Sequence, residues 1–311
     1  MKEDMYNGLS IVEFSDKFRC EDDCLQYMAK LKWAKGFVCR KCGHTRHGKG
    51  YTPFARRCSQ CRYDESVTAG TMLEKCKTGL LKAFHGLYQI AVEKKGISSV
   101  ALAEQLGINQ KSAWLLRCKA QHAMKSSGNH PLTGKVEVDE FGVGGPRKGK
   151  PGRSLDGKKQ TLMMVEVCVD KKGNRVMGRA YAEPIENFKG VTITAAMQKY
   201  VATTANVVAD GYTSYSVVEK TYKFLRQEKS LPGLNFQLLH VQIMNLKGWI
   251  RGTHSQCSTQ HYAGYLNEFH YRFNRRFEKS RNGIFNNLLN RIIKATPLTY
   301  PAIAILCGVN T

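Results

Sequence analysis

The sequence predicts an α/β fold for the second half of the chain. From Gly134 the pattern changes to strand-like segments, which occupy 135–143, 161–170 and 175–184, one directly after another. A helix-like segment near 191–203 and a short strand at 206–210 follow them. A run of three strands followed by helix–strand alternation is the element order of an RNase H-like α/β fold. We therefore predict one mixed sheet packed against helices.

The charge balance of the chain predicts a polyanionic partner. Its 311 residues carry 48 Lys+Arg against 25 Asp+Glu, a formal net charge of +23. Such an excess favours nucleic acid, because each neutralised phosphate releases counterions. Membrane binding is the alternative, but no stretch approaches 18 uncharged apolar residues, and the first residues lack the apolar core of a signal peptide. We expect a cytoplasmic, nucleoid-associated bacterial or archaeal protein that binds double-stranded DNA and no membrane.

Shifts in composition divide the chain into four parts. We predict an N-terminal helix with a cysteine-rich module at residues 1–76 and a helical domain at 77–130. An α/β domain at 131–295 and a C-terminal tail at 296–311 follow. Apolar spacing predicts a first helix over 9–34 and a further strand over 235–241. It also predicts two later helices, over 245–251 and 259–279. The segment Gly144–Lys159 mixes basic residues with Gly and Pro, which predicts a flexible basic loop.

Four cysteines near the N-terminus have metal-ligand spacing. Cys39 and Cys42 form one C-x2-C pair, and Cys58 and Cys61 form a second. Fifteen residues separate the two pairs. Each C-x2-C turn aims two thiolates at one point, and four thiolates suit tetrahedral Zn²⁺. An odd total of 11 cysteines argues against a disulfide protein. We predict a structural zinc site, with four buried free thiols as the alternative and His44 and His47 as surface residues.

The segment after the cysteine-rich module predicts a helix-turn-helix. A capped short helix over 98–106 ends at Gly107, and a second helix runs from Gln110 to Met124. In a DNA-binding pair the second helix enters the major groove with its N-terminal residues. The base-facing residues would then be Asn109, Gln110, Lys111 and Ser112, with Arg117 and Lys119 directed to phosphates. An ordinary helical hairpin is the alternative.

Two aspartates follow β-branched runs at distant positions. Asp139 ends the run from Val136, and Asp210 ends the run from Asn206. Two-metal phosphoryl transfer needs carboxylates that hold a pair of divalent ions. A third ligand normally comes from a helix packed beside the second strand, which is where Asn245 falls. Turn capping is the alternative for each aspartate taken alone.

Five stretches of the second half carry a family resemblance. They are Gly134–Glu140, Ala209–Tyr212, His240–Lys247, Trp249–His254 and Tyr265–Arg276. On these stretches and on the zinc module, the chain resembles insertion-sequence transposases of the IS1595 family, in its ISXO2-like branch. The similarity covers nearly the whole chain, and the last stretch is quite specific.

The resemblance implies an RNase H-like, DDE-type (transposase/integrase) catalytic domain that uses Mg²⁺ (or Mn²⁺) at Asp139, Asp210 and Asn245. Some members of the family carry Asn in place of Glu at the third position. The basic residue expected on the same helix is Lys247 or Arg251. Glu268 is an acidic alternative to Asn245, and we favour a supporting structural role for it. By family analogy, cutting two ends calls for a homo-oligomer on DNA.

Three functions are compatible with these features. The favoured one is a transposase that binds terminal inverted repeats, cuts the DNA and joins its ends to target DNA. The second is a non-catalytic DNA-binding regulator made of the zinc ribbon and helix-turn-helix, with an inactive nuclease-like domain. The third is a nuclease or resolvase of the same fold, which would cleave without joining.

Overall fold

The structure is a computed structural model. It describes residues 10–144, 157–231, 233–254, 257–278 and 280–306. Two compact units divide the chain, one formed by Met1–Met124 with Phe277–Thr311 and the other by Lys125–Arg276. Most of the predicted basic loop, residues 145–156, lies outside the described residues. Among the described residues, no helix is long and apolar enough to cross a membrane.

The secondary structure of the described residues follows chain order. The helices are α1 (Ile11–Lys17), α2 (Glu21–Lys32), α3 (Leu80–Val92), α4 (Ser99–Leu106), α5 (Gln110–Met124), α6 (Gly190–Gln198), α7 (Tyr215–Val218), α8 (Gln237–Thr253), α9 (Thr259–Phe273), α10 (Arg281–Lys294) and α11 (Tyr300–Leu306). The strands are β1 (His47–Lys49), β2 (Arg56–Cys58), β3 (Asp64–Glu65), β4 (Lys135–Val143), β5 (Lys159–Val169), β6 (Arg175–Pro184), β7 (Asn206–Ala209) and β8 (Arg226–Gln227).

The predicted helix over 9–34 is two helices. The carboxylate of Asp23 accepts hydrogen bonds from the backbone N–H groups of Arg19 and Cys20, at 2.9 and 3.1 Å. This satisfies backbone donors at the start of α2, so the chain turns between the helices. Phe14 in α1 and Phe18, which directly follows α1, are buried and pack against each other with ring centroids 4.8 Å apart.

The C-terminal helices belong to the first unit, so the predicted α/β boundary at 295 differs from the structure. The second unit ends at Arg276. Phe285 of α10 is fully buried in the first unit, 5.1 Å from the ring of Phe14. The hydroxyl of Tyr27 in α2 donates to Asn286 Oδ1 at 2.7 Å. The segment 281–306 therefore completes the helical core of the first unit.

A five-stranded sheet is formed by the described residues of the second unit, in the order β6-β5-β4-β7-β8. The pairs β4–β5 and β5–β6 are antiparallel, whereas β4–β7 and β7–β8 are parallel. Three antiparallel strands joined to a parallel pair agree with the predicted RNase H-like element order. The sheet is therefore mixed, as expected.

Helices cover both faces of this sheet. One apolar core joins Val136, Val138 and Ala209 to α6 and α7. The other joins Phe141, Met163 and Val208 to α8 and α9. The predicted strand over 235–241 is wrong, because α8 begins at Gln237 and buries Leu239, Ile243, Leu246 and Ile250 at helical spacing.

Candidate active site and zinc centre

The parallel pairing of β4 and β7 brings two carboxylates close together where β7 ends. Val138 is directly opposite Ala209 in the register. Asp139 follows Val138 within β4, and Asp210 follows Ala209 directly after β7 ends. Successive side chains of a strand alternate between faces. Asp139 therefore shares the face of Phe141, and Asp210 shares the face of Val208, which is the face covered by α8.

The electrostatics of the site show two acids held close together. Burial raises the pKa of Asp139 to about 6, and the charge of Asp210 adds to this increase. His240 and Lys247 act in the opposite direction. A pair of carboxylates that repel each other in a half-closed site is the donor set that a divalent cation stabilises. Asp139 and Asp210 are therefore candidate oxygen donors for a divalent cation.

Helix α8 presents His240 and Lys247 to Asp139. The Nε2 atom of His240 lies 3.8 Å from Asp139 Oδ2. The ammonium group of Lys247 lies over the ring of Phe141, 5.1 Å from its centroid, and interacts with the charge of Asp139. Seven residues are nearly two helical turns, so both side chains leave the same flank of α8.

The structure places Asn245 elsewhere on α8. Five residues after His240, an α-helix has turned about 140° from the direction of that side chain. Asn245 is exposed, whereas Leu246 beside it is buried against the sheet. Among the described residues of α8, the side chains of His240 and Lys247 approach Asp139. The side chain of Asn245 projects from a different flank of the helix. Arg251 is also exposed, one turn beyond Lys247.

A third carboxyl, Glu140, lies behind the aspartates and was missed as a site residue. Because successive side chains of a strand alternate, Glu140 lies on the opposite face of β4 from Asp139. Burial raises the pKa of Glu140 to about 7, and both aspartates add to the increase, while the buried Tyr215 beside it favours the charged form. Its position next to Asp139 in the sequence was the signal that could have identified it.

Glu268 is part of a structural ion pair. Its side chain is fully buried and lies 3.0 Å from the guanidinium of Arg272, one helical turn later. Arg272 in turn lies over the ring of Trp249, 5.1 Å from its centroid. His254 stacks on Tyr265 with centroids 4.0 Å apart and an angle of 9°. The two family stretches at Trp249–His254 and Tyr265–Arg276 thus build contacts that hold α8 and α9 together.

The four ribbon cysteines converge as predicted. The Sγ atoms of Cys39, Cys42, Cys58 and Cys61 lie within 4.8 Å of one another. Cys39 and Cys61 are 3.6 Å apart, as are Cys42 and Cys58. Thiolates about 2.3 Å from one tetrahedral Zn²⁺ are about 3.8 Å apart, so the donors fit this ion.

The two halves of the zinc centre have the same backbone form. Gly43 N donates to Cys39 O at 2.8 Å, and Arg62 N donates to Cys58 O at 3.2 Å. Gly43 and Arg62 both have positive φ, at 75° and 60°. His44 lies outside the cysteine cluster, where its Nε2 contacts Ser59 Oγ at 3.1 Å.

The helix pair forms where it was predicted. Ser98 caps α4, and Gly107 ends it in the left-handed conformation with φ 58°. Asn109 Oδ1 accepts a hydrogen bond from Ser112 N at 2.8 Å, and Gln110 Nε2 donates to Ser99 Oγ at 3.0 Å. DNA binding by this helix pair stays a prediction.

Two of the predicted DNA contacts on α5 are wrong in this structure. Arg117 is 5% exposed and Lys119 is 8% exposed. The ammonium group of Lys119 donates to the carbonyl of Met72 at 2.7 Å. Side chains buried in the helical core cannot reach phosphates from this position. Lys111 contacts the ring of Tyr300, with its Nζ 4.5 Å from the centroid.

The sheet-containing domain and the four-cysteine ribbon both match domain models of transposases, a class of DNA-processing proteins. The model of the ISXO2-like transposase domain matches residues 131–274. The model of the transposase zinc-ribbon domain matches residues 19–64. The chain belongs to the IS1595 family of transposases, in its ISXO2-like branch.

Two solved structures have weak similarity to the chain. The "Crystal structure of a pre-cleavage Mos1 transpososome" is 11% identical over 72% of this chain and 79% of that chain, with a TM-score of 0.25. The "Mos1 transposase paired-end complex with left transposon end" is 12% identical over 68% and 79%, with a TM-score of 0.21. These TM-scores are too low to support conclusions about this chain. No curated protein matches it.

Proposed function

We propose that this protein is a transposase that binds the terminal inverted repeats of an insertion sequence and catalyses metal-dependent strand cleavage and strand transfer. The observation that carries the proposal is that Asp139, in the middle of β4, lies near Asp210, which directly follows the parallel strand β7. The raised pKa of Asp139 and its repulsion by Asp210 support a cation-binding role. The family assignment supports DNA as the substrate.

The chemistry depends on divalent ions, Mg²⁺ or Mn²⁺, which activate the attacking water or 3′-hydroxyl and stabilise the leaving oxygen when bound. Asp139 and Asp210 would hold these ions. Lys247, beside Asp139, would position a phosphate of the scissile strand. Asn245 is the third donor that the family resemblance implies, although it occupies a different flank of α8 from His240.

The first unit would bind the ends of the element. The zinc ribbon and the α4–α5 pair are its candidate DNA-binding parts, and the net charge of +23 favours a phosphate backbone. Of the predicted base-facing residues, Asn109, Gln110, Lys111 and Ser112 remain candidates. A dimer or larger homo-oligomer would bring two DNA ends together.

The test uses linear DNA that carries the sequences flanking the gene, with Mn²⁺ or Mg²⁺ and labelled ends. The wild-type chain is expected to nick at the element ends and to join them to target DNA. Asp139→Ala is expected to abolish both reactions and to retain end binding in a mobility-shift assay. Asp170→Ala, in the exposed turn between β5 and β6, is the matched control and is expected to retain both.

Each outcome separates the candidate functions. Joining by the Asp139→Ala variant would overturn the assignment of the site. Binding without cleavage under any divalent ion would indicate the non-catalytic regulator. Cleavage without joined products would indicate a nuclease or resolvase.

A further inference from the structure

We infer that the hairpin loop of the zinc ribbon, residues 50–55 between β1 and β2, binds an unpaired DNA base by stacking it on the ring of Tyr51. Tyr51, Phe54 and Arg57 together form what we call the loop surface. The inference deepens the proposed function and rests on it for DNA as the partner of the ribbon.

The hairpin loop exposes two aromatic rings. Tyr51 is 77% exposed and Phe54 is 41% exposed, whereas the neighbouring Ala55 is buried. Phe54 also has φ 59°, in the left-handed region that bulky residues rarely adopt. Packing of the ribbon does not require either ring to face solvent, and unfavourable backbone conformations are concentrated at binding sites. Both rings are therefore placed for contact with a partner.

Hydrogen bonds fix the backbone of the loop. Gly50 N donates to Ala55 O at 2.9 Å, and Ala55 N donates to Thr52 O at 3.1 Å. Tyr51 N donates to Asp64 Oδ1, in β3, at 3.2 Å. A segment that is ordered before binding does not lose this conformational freedom when the partner arrives. The ring of Tyr51 is therefore presented from a preorganised backbone.

Arg57 supports the ring of Tyr51 and places a positive charge beside it. Its guanidinium lies over the ring, 4.7 Å from the centroid, and donates a hydrogen bond to the hydroxyl of Tyr51. In the β1–β2 register Arg57 is opposite Gly48, and a Cβ added at Gly48 would meet nothing within 4 Å. The sheet face beside Arg57 is therefore open to the phosphate of a base stacked on Tyr51.

The charge of the ribbon favours nucleic acid over a protein partner. Residues 39–64 contain seven Lys and Arg against a single acidic residue, Asp64. Even with about −2 for four thiolates around one Zn²⁺, the ribbon stays strongly basic. Lys49, at the end of β1 next to the loop, is exposed. A basic surface of this kind attracts the phosphate backbone.

The combination of rings and cations suits an unpaired base better than a duplex. In a duplex both faces of each base are already stacked on neighbouring bases, so an exposed ring meets only base edges or the backbone. An unpaired base has an open face, and aromatic side chains in a basic groove bind single strands by stacking, with little dependence on sequence. Strand cleavage at an element end would provide such bases.

The experiment measures binding of the full, zinc-loaded chain to a labelled single-stranded thymidine oligonucleotide by fluorescence anisotropy, in parallel with a labelled duplex. Tyr51→Ala is expected to weaken single-strand binding about five- to a hundredfold, the loss of one base–aromatic stack, and to leave duplex binding within about twofold. Tyr51→Leu, which keeps an apolar side chain without the ring, is expected to show the same loss. Tyr51→Phe keeps the ring and is expected to retain binding.

The control removes an exposed ring from the other unit. Phe224 is 56% exposed, and Phe224→Ala is expected to bind the single strand as wild type does. Circular dichroism and one retained equivalent of zinc would show that each variant keeps the folded ribbon. Recovery of binding in Tyr51→Phe, measured against Tyr51→Ala, then isolates the ring from the fold.

The outcomes separate this inference from the proposed function. Single-strand binding by Tyr51→Ala that equals wild type, or equal losses for single strand and duplex, would overturn the stacking role. Wild-type binding by Tyr51→Leu would also overturn it and would indicate an apolar contact such as a protein makes. Asp139→Ala is expected to bind the single strand normally, so failure of the wild-type chain to cleave DNA would refute the proposed function alone.

Discussion

The charge of Asp139 should destabilise the protein when no divalent ion is bound. Burial and Asp210 raise the pKa of this carboxyl from 3.8 to about 6. This pKa difference corresponds to a free-energy penalty on the charged carboxylate in the folded protein of at most about 3 kcal/mol. Asp139→Asn keeps the shape of the side chain and removes the charge. We expect the variant to unfold with a free energy about 1 to 3 kcal/mol higher than wild type at pH 8.

The pH dependence gives the sign of this effect. Because the folded pKa is above the ordinary value, the folded protein binds the extra proton between pH 4 and pH 6, and wild-type stability falls as pH rises through that window. Urea unfolding is measured at pH 8, 6 and 4 without added Mg²⁺ or Mn²⁺. The difference in free energy of unfolding between Asp139→Asn and wild type should increase with pH. A difference that stays constant with pH, or an Asp139→Asn variant that is less stable than wild type at pH 8, would refute the reasoning.

Asp170 provides a control of opposite sign. Backbone N–H groups of Asn174 and Lys172 bond to its carboxylate and lower its pKa. Its stabilising contribution is present above its ordinary pKa and is lost as pH falls through the lowered value. Asp170→Asn should therefore lower stability at pH 8, where Asp139→Asn raises it.

Three further changes test other parts of the structure. Cys58→Ser should release the zinc ion and loosen the ribbon. Elemental analysis should then show a loss of one equivalent of zinc per chain. A retained equivalent would contradict the four-thiolate site. Gly190→Ala should lower the free energy of unfolding by about 1 to 3 kcal/mol, because its Cβ would lie 2.4 Å from the backbone oxygen of Ser214. The matched Gly248→Ala, in open space on α8, should be neutral or stabilising. Glu268→Gln should lower the free energy of unfolding in urea by about 3 to 5 kcal/mol, because it removes the negative charge that pairs with the largely buried Arg272. Mn²⁺ affinity should not change, and a large loss of affinity would make Glu268 a ligand.

Local patterns sufficed for the strands of the sheet and for the four-cysteine cluster. β4, β5 and β7 contain several β-branched residues, and turn residues flank the strands, so the places of these strands are a local property. The parallel pairing of Val138 with Ala209 then aligns Asp139 with Asp210. The zinc centre is equally local, because two short turns position all four thiolates.

Features that depend on tertiary packing were not predictable in the same way. The start of α8 looked like a strand because a short apolar run fits either period, and burial against the sheet decides for the helix. The burial of Arg117 depends on how the helices of the first unit pack together, which helical spacing within α5 alone does not reveal. The approach of His240 to Asp139 depends on the rotation of α8, which no local pattern specifies.

The most direct test is a crystal structure of the full chain with Mn²⁺, with diffraction data collected at the manganese absorption edge. We expect an anomalous peak about 2.2 Å from carboxylate oxygens of both Asp139 and Asp210. Peaks confined to other surfaces, with the two aspartates free of metal at saturating Mn²⁺, would contradict the account.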